Sequence, residues 1–145
     1  MSAATPTPQV AKRGMGKIVA VVIVIIIIVA AAGLYYAYYG MSKPTTSTIN
    51  IANGTGTDQS LNFNPSSITV VIGRNNTIQF ANGDSTLHTV TFTSAPAGVS
   101  LSSISDSSLS AGSSFTISLS IAGTYQYHCS IHSWMKGTIT VVSGY

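Results

Sequence analysis

The chain has 145 residues, enough for one ordinary domain and an appendage but not for two domains. Its formal net charge is +3, and three of its six cationic side chains, Lys12, Arg13 and Lys17, precede a long apolar run. Three aspartates balance the other three cations, so the rest of the chain has no net positive charge with which to neutralise phosphates. This distribution argues against nucleic-acid binding.

The N-terminal part of the sequence predicts a membrane anchor. Residues 1–17 are small and polar, contain prolines, and predict a short disordered cytoplasmic tail. Residues 18–39 form an apolar stretch of about 22 residues, enough to cross a hydrocarbon core of ~30 Å. Four tyrosines near its end suit an aromatic interfacial belt, and the preceding cations predict that the N-terminus stays inside. We therefore predict a single-pass protein of the cell membrane whose following domain is extracytoplasmic.

A cleaved signal peptide is the alternative, because Ala30, Ala31 and Ala32 supply the small residues of a cleavage site. We favour an uncleaved signal-anchor, since the apolar sequence continues past these alanines into the tyrosines. In both interpretations the domain that follows is exported, and they differ only in whether it stays tethered to the membrane.

Residues 40–47 predict a short linker, which leaves a domain of residues 48–145 close to the membrane surface. This domain has short β-branched runs of alternating polarity, separated by turn residues such as Asn82-Gly83. The pattern predicts many short strands and hence an all-β sandwich or barrel. The predicted strands lie within residues 48–51, 68–72, 77–80, 88–93, 113–120, 124–129 and 138–142. Residues 95–110 predict a less regular, Ser-rich connection with a short strand or turn.

A cluster of metal-binding residue types lies near the C-terminus. Cys129, His132 and Met135 bring together a thiolate, an imidazole and a thioether. These soft or borderline donors suit copper better than magnesium or calcium. Cys129 is the chain's only cysteine, so it forms no internal disulfide.

Strand alternation separates the two histidines beside this cysteine. Side chains along a strand alternate between its faces, so Cys129 shares the predicted core face with Tyr125 and Tyr127. His128 then points away and is a poor candidate for the same metal. The candidate for a second imidazole is instead His88, at the start of a distant predicted strand that a Greek-key sandwich could bring to the same pole. Two histidines and a cysteine, with Met135 as a weak axial ligand, are characteristic of blue-copper electron-transfer sites.

Residues 47–143 resemble the cupredoxin family of type 1 blue copper proteins, which includes the amicyanins and plastocyanins. The C-x2-H-x2-M spacing from Cys129 through His132 to Met135 is closest to the amicyanin-like branch. Further matching segments are residues 64–70, 87–90, 123–127 and 136–141. The resemblance implies a Greek-key two-sheet β-sandwich that transfers single electrons to redox protein partners and is not an enzyme. It also implies one copper ion, Cu(I) or Cu(II), bound by His88, Cys129, His132 and Met135.

The sequence departs from the family near the site. Thr89 follows the first histidine where the family often has an asparagine that connects the two ligand loops, so the Thr89 hydroxyl or amide is the candidate replacement. Ile131 and Ser133 occupy places where amicyanin-like loops usually have prolines. Trp134 takes the usual aromatic place, and with Ile131 it is a candidate for an apolar collar around His132.

Two functions fit these observations. The first is a membrane-anchored carrier of electrons at the outer face of the membrane, with no small-molecule substrate and with partners such as membrane respiratory complexes. The alternative is an extracytoplasmic copper storage or delivery protein, although the chain has no Met-rich tract of the kind that favours metal exchange. A dinuclear copper centre would need a second cysteine, which the sequence lacks.

Overall fold

The computed structural model describes residues 15–39 and 43–144. Most of the predicted tail and residues 40–42 of the predicted linker lie outside the described residues. The chain divides into two compact units, residues 1–42 and residues 43–145, and each is described by itself.

The described residues of the first unit form one helix, α1 (Met15–Tyr39), of 25 residues. At 1.5 Å per residue it is roughly 37 Å long, which exceeds the ~30 Å hydrocarbon core of a bilayer. Its described side chains are exposed, and most are Ile, Val, Ala or Tyr. The helix begins three residues before the predicted anchor and ends at the same residue as that anchor. By length and composition it could cross a membrane, as an anchor or as a signal sequence.

The second unit is a β-sandwich of two mixed sheets, which confirms the predicted fold class. One sheet has four strands in the order β2-β1-β4-β7, and the other has five in the order β3-β9-β8-β5-β6. The strands are β1 (Thr46–Ile51), β2 (Phe63–Asn64), β3 (Ser67–Val71), β4 (Thr77–Asn82), β5 (His88–Ser94), β6 (Asp106–Leu109), β7 (Ser114–Ser118), β8 (Gly123–His128) and β9 (Lys136–Val142).

Each predicted strand corresponds to a strand of the structure, with ends that differ by a few residues. The irregular connection at residues 95–110 contains a single 3-10 turn, Leu101–Ser103, and the short strand β6. The sequence pattern does not predict the two-residue strand β2. Cys129 lies one residue beyond β8 rather than within it, because the chain there turns into the loop that leads to β9.

Strand pairing determines which residues meet at each end of the sandwich. β1 and β4 are parallel, as are β3 and β9, whereas β5 and β8 run antiparallel. Because β5 begins at His88 and β8 ends at His128, the antiparallel pair brings the start of one and the end of the other to the same edge. The histidine and cysteine predicted to meet are therefore at one pole.

The core between the sheets is rich in aromatic rings packed around Tyr127. Its ring centroid lies 4.9 Å from that of Phe63, 5.2 Å from Phe80 and 5.4 Å from Phe92. Tyr125, Tyr127 and Cys129 are all buried, which confirms that they share the core face. Burial raises the pKa of the Tyr127 phenol above its ordinary value, because the charged form would lose its hydration. The rings of Phe63, Phe80, Phe92 and Tyr127 thus form one packed aromatic layer in the core.

Candidate metal centre

Three predicted donor side chains converge at the pole where β5 begins and β8 ends. The Nδ1 atoms of His88 and His132 lie 3.1 Å apart. The Sγ of Cys129 lies 3.5 Å from the His132 Nδ1 and 3.8 Å from the His88 Nδ1. Among the described residues these three side chains form a group able to hold a metal ion, with all donor atoms within 4.8 Å of one another.

These separations fit three donor atoms that share one bound ion. Metal–imidazole bonds are about 2 Å long, and metal–thiolate bonds are a little longer. Two donors about 2 Å from one ion are roughly 3–4 Å apart at trigonal or tetrahedral angles, which is the range observed here. A thiolate and two imidazoles are also the donor types that form trigonal copper sites.

The loop between β8 and β9 brings His132 and Met135 back over Cys129. The Met135 amide donates to the His132 carbonyl at 3.0 Å, and the Cys129 amide donates to the Met135 carbonyl at 3.1 Å. These backbone bonds close the loop into a compact turn. Met135 is fully buried at the same pole, and the hydrogen bond from the Cys129 amide to its carbonyl keeps the two residues close together.

Thr89 connects the two segments that hold the donors. Its hydroxyl accepts a hydrogen bond from the Ser130 amide at 2.7 Å, and its amide points to the Cys129 Sγ at 3.4 Å. Both predicted replacements for the family's asparagine are therefore present.

The two histidines differ in their access to solvent. His88 is fully buried, whereas His132 is 9% exposed and its ring centroid lies 5.2 Å from that of Trp134. Burial lowers the pKa of His132, and repulsion from His88 lowers it further, against an opposing attraction from Asp84. At neutral pH His132 is therefore uncharged, which leaves a ring nitrogen with a lone pair for a metal. Ile131, beside it in sequence, is 51% exposed.

His128 lies outside the donor group, as strand alternation predicts. It is half-buried and lines a polar groove with Gln126, Lys136 and Thr138. Adjacency to Cys129 in sequence therefore does not bring its ring to the site, because consecutive strand residues face opposite sides of the sheet.

Asp84 is a site residue that sequence reasoning missed. It lies in the turn before β5, and its carboxylate Oδ2 is 2.9 Å from the His88 Nε2. The same carboxylate accepts hydrogen bonds from the amides of Gly54, Gly56 and Ser85 and from the Thr86 hydroxyl. The sequence feature that could have identified Asp84 is its position four residues before His88, in a chain with only three acidic residues.

Opposing effects act on the acidity of Asp84. Burial by itself would raise its pKa, but the hydrogen bonds from His88, Gly54, Gly56 and Thr86 together outweigh burial. The net result is a pKa well below the ordinary value, so the carboxylate is ionised at neutral pH.

Comparison with known proteins agrees with this architecture. The model of the cupredoxin-like domain family matches residues 18–141. Plastocyanin from Daucus carota is 40% identical over 90 residues, which cover 58% of this chain and 91% of that protein. The oxidised plastocyanin from Dryopteris crassirhizoma is 31% identical and has a TM-score of 0.53, with 66% of this chain and all of that chain covered.

Two further solved structures share the fold. A purple cupredoxin from Nitrosopumilus maritimus is 26% identical with a TM-score of 0.56, covering 66% of this chain and 99% of that one. An amicyanin mutant in the Cu(I) form is 21% identical with a TM-score of 0.53, covering 67% and 82%, and at this identity it shows the fold alone. With a family match over most of its length and a sandwich that brings a cysteine and two histidines to one pole, this chain belongs to the cupredoxin family.

Proposed function

We propose that this protein is a membrane-anchored blue copper protein that carries single electrons between redox partners at the outer face of the membrane. The main support is the buried group of His88 Nδ1, Cys129 Sγ and His132 Nδ1, with mutual separations of 3.1–3.8 Å. Copper bound there would supply one-electron chemistry by alternating between Cu(I) and Cu(II). No substrate is converted in this scheme, so the protein is a carrier and not an enzyme.

The proposed ligands are His88, Cys129 and His132, with Met135 as a weak axial ligand. His88 is the first residue of β5, and Cys129 directly follows β8, so both are fixed by paired strands. His132 and Met135 are fixed by the backbone bonds that close their loop. A site held this firmly changes little between oxidation states, which favours rapid electron transfer over release of the metal.

His132 is the proposed exit point for electrons. Among the proposed ligands it is the one with measurable exposure, and Trp134 packs against its ring. Ile131 presents an apolar side chain to solvent next to it. We propose that Ile131 and Trp134 form an apolar collar against which a redox protein docks, bringing its own centre close to His132.

The helix α1 is proposed as a retained anchor with the N-terminus in the cytoplasm and the copper domain outside. Its length and exposed apolar side chains suit a membrane span, and cationic residues precede it. An anchored carrier meets partners in or on the same membrane, such as respiratory complexes. A mass measurement on the native protein tests the anchor, because a new N-terminus near Gly33 would contradict it.

Repeated oxidation and reduction distinguishes an electron carrier from a copper storage or delivery protein. The full-length protein in detergent is loaded with one equivalent of Cu(II), then alternately reduced and oxidised in the presence of a strong Cu(I) chelator. We expect the copper content and the visible absorption of the oxidised form to be retained over many cycles. Transfer of most of the copper to the chelator in the first reduction would favour delivery instead.

Met135→Leu should keep the visible absorption but raise the reduction potential. Leucine has a similar volume, so this buried site should stay packed at a cost below about 1.5 kcal/mol. Loss of the thioether removes an axial donor that stabilises the more highly charged Cu(II) more than it stabilises Cu(I). If Cu(II) binding weakens tenfold relative to Cu(I), the potential rises by about 59 mV. Potentiometric titration measures this shift, and an unchanged potential would show that Met135 has only a packing role.

A further inference from the structure

The hydrogen bond between Asp84 and His88 determines which nitrogen of His88 is free. Both oxygens of the Asp84 carboxylate accept hydrogen bonds from backbone amides, so the carboxylate acts as an acceptor. The Nε2 of His88, 2.9 Å from the Asp84 Oδ2, is therefore the nitrogen that donates and has the proton. The other nitrogen, Nδ1, is then left with a lone pair. It is this Nδ1 that lies 3.1 Å from the His132 Nδ1 and 3.8 Å from the Cys129 Sγ. The carboxylate thus orients His88 toward the donor group.

The charge of Asp84 is not neutralised by a lysine or arginine among the described residues. Its hydrogen-bond donors there are three backbone amides, the Thr86 hydroxyl and the His88 ring. The carboxyl side chain is 2% exposed, so water screens its charge weakly. A full negative charge therefore lies one imidazole ring away from the donor group, where it favours the metal ion with the higher charge.

Asp84 also holds a neighbouring turn against His132. Its two oxygens accept from the amides of Gly54 and Gly56, at 2.9 and 2.8 Å. A Cβ on Gly56 would lie 3.2 Å from the Asp84 Oδ2 and 3.2 Å from the His132 Nε2, and would overlap the Thr86 hydroxyl. The turn that Asp84 holds is therefore packed closely against the proposed electron exit point, and only glycine leaves room for this contact.

We propose that Asp84 is a positioning residue of the copper site, which directs the His88 Nδ1 toward the metal and favours Cu(II) over Cu(I). The proposal rests on the proposed function, since it concerns the same site. Carboxylates that accept from a metal-bound histidine commonly fix its tautomer and increase its basicity, which is the role assigned to Asp84. The competing explanation is that Asp84 only connects two loops.

Asp84→Asn tests the proposal, with Asp58→Asn as the matched control. Both substitutions remove one negative charge, but Asp58 is exposed, and its carboxylate accepts hydrogen bonds from the amide and the hydroxyl of Ser60. We expect Asp84→Asn to weaken Cu(II) binding by about 10–100-fold. Cu(I) binding should weaken less, so the reduction potential rises, whereas Asp58→Asn should match the wild type. Equal losses of Cu(II) and Cu(I) affinity with an unchanged potential would overturn the proposal and leave Asp84 as a loop connector.

A second measurement needs no variant and no copper. Nitrogen-15 NMR of the copper-free, full-length wild-type protein at pH 8 reports which ring nitrogen of His88 has the proton. We expect the proton on Nε2, and a proton on Nδ1 would overturn the proposal even if Asp84→Asn failed to fold. Failure of the proposed function has a different signature: the wild type would then give no intense visible absorption with Cu(II), whatever the His88 tautomer.

Discussion

Cys129→Ser should abolish the intense visible absorption of the copper-loaded protein. This absorption is a charge-transfer transition from a thiolate to Cu(II), and a serine hydroxyl is a harder donor and far less acidic than a thiol. We expect complete loss of the absorption and weaker copper binding, measured by titrating the variant with Cu(II) beside the wild type. Because Cys129 is fully buried, the thermal unfolding of the copper-free variant should be recorded as well.

His128→Gln is the matched control for this substitution. His128 adjoins Cys129 in sequence but faces the other side of the sheet, outside the donor group. The control should keep the absorption with unchanged intensity. If Cys129→Ser retained the absorption, or if His128→Gln lost it, the proposed ligand set would be wrong.

Gly137→Ala should destabilise the domain by about 3 kcal/mol or more, since it overfills a packed core. Gly137 pairs with Tyr127 across β8 and β9, and the tyrosine ring lies where a Cβ would be. The ring cannot move freely, because Phe63, Phe80 and Phe92 surround it. Denaturant unfolding of the copper-free protein measures the loss of stability.

A double-mutant cycle with Tyr127→Leu identifies the cause of this loss. Without the ring, Gly137→Ala should cost much less than in the wild-type background, giving a coupling energy of about 1–3 kcal/mol. Additive losses in the two backgrounds would mean that the overlap with Tyr127 is not the reason that glycine is needed at this position.

Local patterns are sufficient to predict most of the fold. Alternating polarity predicts the strands, and it correctly assigns Tyr125, Tyr127 and Cys129 to the core face. The same rule correctly separates His128 from the donor group. These predictions succeed because the period-two alternation of a strand is a property of the local backbone.

Features that depend on contacts between distant segments are harder to predict. His88 and Cys129 are 41 residues apart in the sequence, so residue spacing alone does not predict that they meet. The resemblance to a known family is needed for that prediction. The sequence predicts that Thr89 connects the two ligand segments. It does not predict that the hydroxyl and the amide of Thr89 both contribute to this connection. Asp84 is missed because its partners Gly54 and Gly56 lie 30 and 28 residues away, in a loop whose path no local pattern predicts.

The most direct test of the copper site is the titration of the full-length wild-type protein with Cu(II), followed by visible absorption and electron paramagnetic resonance. We predict an intense absorption that grows to a sharp endpoint at one equivalent of copper, disappears on addition of a reductant and returns on reoxidation. The expected spectrum is that of one copper ion bound by the thiolate of Cys129 and the imidazoles of His88 and His132. A colourless complex, or an endpoint at two or more equivalents, would contradict the proposed mononuclear electron-transfer site.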